Sequence, residues 1–288
     1  MNMRHEIIRG LKTEWYDNGN IGKPVIFFQH GFPDHPYIWS KQFEEFNLDF
    51  HLIAPSLRGV GNSAEGEGLS RCSFLAYELD MTEVLERSGV NQSEKIIFIA
   101  HDISGPYIEQ FSNSFPDRVL GVVYLNSMPM RLARKRLLKP FQMLKSWYIA
   151  PFVTPIANRF FVSMLLEQYL KRFCPEFFDS HNRLELREAQ NLLKYYQYLG
   201  TELVNFSPEP ISADCESLLI FGNKDPFVDV PKGSDLDTLG SVCTLRVIEG
   251  NHWIQDTQFQ QVNRILRGFI DERIRSVGKS NPEKQKRA

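Results

Sequence analysis

Three residues whose types suit covalent hydrolysis stand in a fixed order, each a few positions past an apolar run. Asp102 follows Ile96–Ala100, Asp225 follows Leu218–Phe221, and His252 follows Thr244–Ile248. Aspartate and histidine are side-chain types that nucleophilic and general acid–base hydrolysis use. The segment IIFIAHDISGPYIEQF carries the sharpest signal. A nucleophile displayed on a tight strand-to-helix turn needs small residues flanking it, because the turn leaves no room for large ones. Ala100 and Ser104-Gly105 supply those flanks around Asp102. Taking Ser104 as the nucleophile would put Asp102 and Pro106 on the flanks, which the turn excludes. A carboxylate nucleophile attacks an electrophilic sp³ carbon and leaves an alkyl ester that water must cleave. Taken singly, an aspartate after a strand also suits a helix cap, Asp225 before Pro226 suits a turn, and His252 suits a loop. Their shared placement and order point to chemistry.

Groups so placed require a row of strands ending on one edge. Val25–Phe28, Leu52–Ala54, Ile96–Ala100 and Val119–Leu125 are short continuous apolar runs. The spacing over Ser73–Arg87 (Leu75, Leu79, Val84, Leu85) and Ile108–Phe115 predicts helices between them. Continuous apolar strands alternating with helices predict an α/β architecture with a mostly parallel sheet covered on both faces. After Asn126 the pattern changes. From Met128 to Phe206 no strand signal stands out; there are a basic run (Arg131–Lys139), many aromatics and helical spacing over Leu184–Leu199. Strand signals return at Leu218–Phe221 and Thr244–Ile248, followed by a helix from about Thr257 to Arg275. The expected organisation is one sheet domain, 1–127 and 208–278, interrupted by a helical insertion at 128–207. A polar, basic, solvated tail follows at 279–288.

At this point the chain resembles the α/β-hydrolase superfamily, in its aspartate-nucleophile branch of epoxide hydrolases and haloalkane dehalogenases. FFQHGFPDHPYIW is similar to the HGxP loop of that branch, here His30, Gly31, Phe32 and Pro33. APSLRGVGNS is similar to its PDxRGxGxS turn, with Ser56 where an acid is usual. LLIFGNKDPFV and VIEGNHWIQDTQF look like the loops of the triad acid and the general base. The resemblance implies Asp102 as nucleophile, Asp225 as acid and His252 as base. It also implies an oxyanion hole from the backbone N–H groups of Phe32 and Ile103, and a helical cap over the site.

Within the branch, the turn residues discriminate between leaving groups. Dehalogenases place a halide-binding tryptophan after the nucleophile; Ile103 stands here, and fluoroacetate-type arginines are absent at Ile103 and Pro106. An epoxide instead needs a proton donor for its oxygen, which the epoxide hydrolases take from cap tyrosines. In AQNLLKYYQYLG, Tyr196 matches the family's tyrosine, with Gln197 in the place of its arginine and Tyr195 as the register alternative. The second tyrosine position is occupied by Pro151 in KSWYIAPFVTP, so Tyr148, one turn earlier, or His181 is the substitute donor. Phe32, Trp39, Trp147, Phe152 and Trp253 would give an apolar pocket. The leading expectation is therefore hydrolysis of a small apolar epoxide by water, without a cofactor or metal. A dehalogenase-like hydrolase and a non-catalytic binding member of the fold are the alternatives.

Composition narrows the remaining classes. The 288 residues carry 33 Lys+Arg against 35 Asp+Glu, a formal charge of −2, which leaves no electrostatic footprint for nucleic acid. Hydrophobic residues at 42% and charged residues at 24% are globular values and argue against disorder. Cys72, Cys174, Cys215 and Cys243 are widely spaced without a CxxC pair, against a disulfide framework or zinc site. The amino terminus holds no apolar stretch long enough for a signal peptide, and no run of apolar residues is of membrane-spanning length. These features predict a cytoplasmic protein, monomeric or homodimeric.

Overall fold

The computed structural model describes residues 3–137, 167–173, 186–205, 216–239 and 243–279. Its strands are β1 (Met3–Ile8), β2 (Leu11–Asp17), β3 (Val25–Gln29), β4 (His51–Pro55), β5 (Ile96–His101), β6 (Val119–Leu125), β7 (Ser217–Gly222) and β8 (Cys243–Ile248). They form a single sheet in the order β1-β2-β4-β3-β5-β6-β7-β8. From β4 to β8 every neighbouring pair is parallel. Every residue of β3, β4, β5 and β7 is buried, which is why these strands read as unbroken apolar runs.

The antiparallel strands β1 and β2 were not signalled by the apolar pattern. β1 is an edge strand whose residues MRHEII are mostly exposed or half-buried, so its sequence carries charge instead of an apolar run. The expected helix at Ser73–Arg87 is α2 (Phe74–Arg87), with the Ser73 hydroxyl accepting from the Ala76 N–H at 3.1 Å as its N-cap. It follows α1 (Ser40–Phe46). The helix after β5, α3 (Gly105–Ser114), begins one short 3-10 turn past the strand. The expected last helix is the continuous Phe259–Lys279, preceded by a separate turn of helix at Ile254–Thr257.

β6 pairs directly with β7, from Val122↔Ser217 to Leu125↔Ile220, although a long excursion separates them in sequence. Within the excursion the described elements are helices: α4 (Met130–Leu137), Glu167–Phe173 and Leu186–Asn205. Tyr148, His181, Trp147, Pro151, Phe152 and the basic tail from 280 onward lie outside the described residues.

The strand order fixes where a site can form. From β3 the chain moves to β4 on one side, then returns to place β5 on the other side of β3. Loops leaving the carboxyl ends of two strands on either side of such a reversal diverge and open a crevice. Phe32 follows β3 and Asp102 follows β5, so both face that crevice from adjacent strands.

Candidate active site

β5 ends at His101 in extended geometry, and Asp102 then adopts φ 54, a left-handed backbone that non-glycine residues seldom occupy. Close packing holds the turn there. A Cβ on Gly31 would lie 2.5 Å from the Asp102 Cβ and from the His101 carbonyl oxygen. A Cβ on Gly105 would lie 2.4 Å from the Ser127 hydroxyl. The small residues around Asp102 are thus a steric requirement of the turn. Ser104 is a structural member of it: its hydroxyl donates within hydrogen-bond range of the His101 carbonyl (2.7 Å) and the Gln29 carbonyl (3.0 Å), and accepts from the His101 N–H.

The Asp102 carboxylate collects three groups from three separate segments. Phe32 donates its backbone N–H to Oδ1 at 2.8 Å. The Tyr196 hydroxyl lies 3.2 Å from Oδ1 and 3.3 Å from Oδ2. His252 Nε2 lies 3.4 Å from Oδ2. Burial alone would raise the Asp102 pKa, but the hydrogen bond and charge of His252, the charge of His101 and the Phe32 N–H outweigh it and hold the carboxyl below its ordinary range.

On its other side, His252 Nδ1 donates to Asp225 Oδ2 at 2.8 Å. Asp225 is tied down in turn: its Oδ1 accepts the N–H groups of Phe227 at 2.7 Å and Val228 at 3.0 Å. Burial disfavours a charged imidazole, yet the Asp225 charge and hydrogen bonds to Asp102 and Asp225 push His252 up to about 10. The two carboxylates on either side thus favour the charged imidazole.

The two candidate tyrosines point in different directions. Tyr196 points at Asp102, with its ring edge-on to Phe32 at 5.7 Å between centroids. Tyr195 points elsewhere, its buried hydroxyl accepting the Arg58 N–H at 2.9 Å. Ile103 follows Asp102 with its side chain buried. Of the expected pocket aromatics, Trp39 is core: it is fully buried and packs on Phe28 and His101. Trp253 is likewise buried, its indole N–H 3.2 Å from both oxygens of Asp34.

Two supporting residues escaped the sequence reading. Asn126, just past β6, donates to the Asn251 carbonyl at 2.7 Å and accepts the Gly222 N–H at 2.8 Å. One amide thereby joins the end of β7 to the loop that carries His252. Ser127 donates to the Asp102 carbonyl. Their only sequence signal is a polar pair directly after an apolar strand. The serine at position 56 also finds its explanation: its hydroxyl donates to Glu14 of β2 at 3.1 Å, so a carboxylate reaches this turn from another strand. Burial opposes the Glu14 charge, but His35 and Asn62 hold its pKa down at about 2.

Among the described residues no three His, Cys, Asp or Glu side chains converge as a metal site, and no helix is long and apolar enough to cross a membrane.

Comparison with known proteins adds the following. A family model for the alpha/beta hydrolase fold matches residues 24–259. Epoxide hydrolase 4 of Homo sapiens is 25% identical over 287 residues, spanning 92% of this chain and 77% of the relative. Epoxide hydrolase 1 of Caenorhabditis elegans is 25% identical over 293 residues, spanning 93% and 70%. Among solved structures, a Bacillus megaterium epoxide hydrolase bound to an inhibitor superposes with a TM-score of 0.77 at 20% identity, over 93% of this chain and 100% of that one. At that identity the structural likeness is one of fold.

Proposed function

Because this chain belongs to the alpha/beta hydrolase fold family, we propose that it is an epoxide hydrolase working through a covalent ester on Asp102. Residues 128–207 are read as its cap. The observation that carries the proposal is the convergence on one carboxylate of a tyrosine hydroxyl, a backbone N–H and an imidazole.

The two oxygens of Asp102 have different surroundings. Oδ1 is held by the Phe32 N–H at 2.8 Å, while Oδ2 has its named neighbours at 3.3 and 3.4 Å. Oδ2 is the attacking oxygen in this scheme. It forms a bond to one epoxide carbon as the ring C–O bond breaks, and the ring oxygen takes the Tyr196 hydroxyl proton. The product of this step is a β-hydroxyalkyl ester on Asp102.

Esterification also switches the histidine. It removes the negative charge and the hydrogen bond that Asp102 contributes to His252, so the imidazole pKa falls from about 10 and it can lose a proton. That proton balances the one the tyrosinate must regain. Neutral His252, oriented by Asp225, then takes a proton from water, whose oxygen attacks the Asp102 carbonyl carbon. The tetrahedral oxyanion develops on Oδ1, where the Phe32 N–H already points; the N–H of Ile103 is assigned as its second donor. Cleavage of the ester C–O bond, with the imidazolium protonating the departing oxygen, releases a vicinal diol and leaves Asp102 as the carboxylic acid; its proton then passes to His252, which restores the carboxylate and the charged imidazole. The proposed substrate is a small apolar epoxide, in keeping with Phe32 and Ile103 beside the nucleophile.

Trapping the ester tests this. The variant His252→Gln should alkylate but not hydrolyse, so intact-mass analysis after mixing with an epoxide panel should show a persistent adduct of enzyme plus epoxide. An active wild type with no adduct in the variant across the whole panel would end the aspartyl-ester reading.

A further inference from the structure

We propose that the turn after β4, residues 57–65, is the platform that aims Tyr196, and that Asn191 and Tyr195 are positioning residues for the ring-opening step. The inference rests on Tyr196 being the proton donor.

The helix Leu186–Asn205 touches this turn through one stripe of its surface. The Gly61 N–H donates to Glu188 at 2.8 Å, Asn191 donates to the Gly59 carbonyl at 3.0 Å, and the Arg58 N–H donates to the Tyr195 hydroxyl at 2.9 Å. Lys194 adds an ion pair to Glu65. Positions 188, 191 and 195 are spaced i, i+3 and i+7, which places them on one face. Tyr196 lies about 100° further around the helix, so its direction depends on the rotation of the helix about its axis. The stripe fixes that rotation.

The platform is itself immobilised. Arg58 makes two 2.6 Å bonds to Asp80, the Leu57 N–H donates to His30 at 3.0 Å, and Asn62 donates to Glu14 at 2.6 Å. The approach of helix to turn is close. Gly59 has φ +82, and a Cβ there would lie 2.7 Å from three atoms of Asn191. Asn191 is 4% exposed and Tyr195 2%, so both contacts are made out of water, where losing one partner leaves the other unsatisfied.

A small change in this seam has leverage on the chemistry. Side-chain tips stand about 5–6 Å from a helix axis, so a rotation of about 10° displaces the Tyr196 hydroxyl by about 1 Å. Misplacement on the order of 1 Å can slow a positioned step by as much as about 10²-fold. Ester hydrolysis uses His252, Asp225 and the Phe32 N–H, and none of these rides on the helix.

The test follows the two steps separately by rapid-quench mass analysis of the Asp102 ester, in Asn191→Ala and Tyr195→Phe, each also combined with Tyr196→Phe. Each single variant should slow alkylation by about tenfold or more, leave ester hydrolysis within about twofold, and add no further loss once Tyr196→Phe is present. Tyr195→Phe removes one oxygen from a side chain that stays packed, so it decides the matter should Asn191→Ala fail to fold. Wild-type alkylation in the seam variants, equal slowing of both steps, or an undiminished loss on the Tyr196→Phe background would each overturn the inference. If Tyr196→Phe itself alkylates at the wild-type rate, it is the donor assignment that falls; if Tyr196→Phe is slow and the seam variants are not, the seam alone falls.

Discussion

The turn after β5 holds Asp102 at φ 54 with its side chain 11% exposed, whereas the turn after β7 holds Asp225 with its side chain fully buried. Asp225 receives two backbone N–H groups and the imidazole within 3.0 Å. Asp102 receives one such N–H at 2.8 Å, and its Oδ2 keeps the imidazole and the tyrosine at 3.3 Å or more. Both face the same histidine, yet the first keeps one oxygen with only distant neighbours while the second has both oxygens closely held. In the proposed mechanism, surroundings, and not side-chain identity, separate a nucleophile from an orienting acid.

The contrast can be broken at several levels. The largest effect is expected from Asp102→Ala, which should lower covalent alkylation by on the order of 10⁴-fold or more, read as loss of the mass adduct. An adduct of wild-type size in that variant would mean that Asp225 or another group attacks. Next comes Asp225→Ala. Ester hydrolysis should fall by on the order of 10³–10⁴-fold, with alkylation reduced far less, because only the second step requires an oriented base. Near-normal turnover would show that another carboxylate serves.

The smallest effect concerns stability. His252 is raised from 6.5 to about 10 in the folded resting protein, so the fold binds a proton there that the unfolded chain releases. This contribution is fully present below pH 6.5 and is lost as pH rises through about 10. The wild-type Tm should decline across that window by roughly 5 °C more than the Tm of His252→Gln. Parallel declines in the two proteins would show that the histidine is not charged between its carboxylates.

Legibility in the sequence followed the range of the forces involved. The turn at Asp102 could be read because its constraint is local: small flanks, a preceding apolar strand, a following helix. The parallel strands could be read because burial on both faces forces continuous apolar runs. Choosing between Tyr195 and Tyr196 could not be settled, since neighbouring positions on a helix differ only in rotation, and that rotation is set by contacts to residues 58–65. Glu14 as the carboxylate beside Ser56, and Asn126 as the tie between two loops, are partnerships across 42 and 125 positions. Their residue types give no hint of the partner. β1 stayed hidden because an exposed edge strand has no apolar period to display.

The direct pairing of β6 with β7 has a consequence for how this chain can change over time. Once two strands are registered, the entropy of closing the intervening stretch grows only with the logarithm of its length, so doubling that stretch costs only about 0.6 kcal/mol. The sheet that carries Asp102, Asp225 and His252 is thus thermodynamically insulated from the length of what lies between. Insertions and deletions there can therefore accumulate while the strand ends keep their register, provided that the stripe resting on residues 58–65 survives each revision.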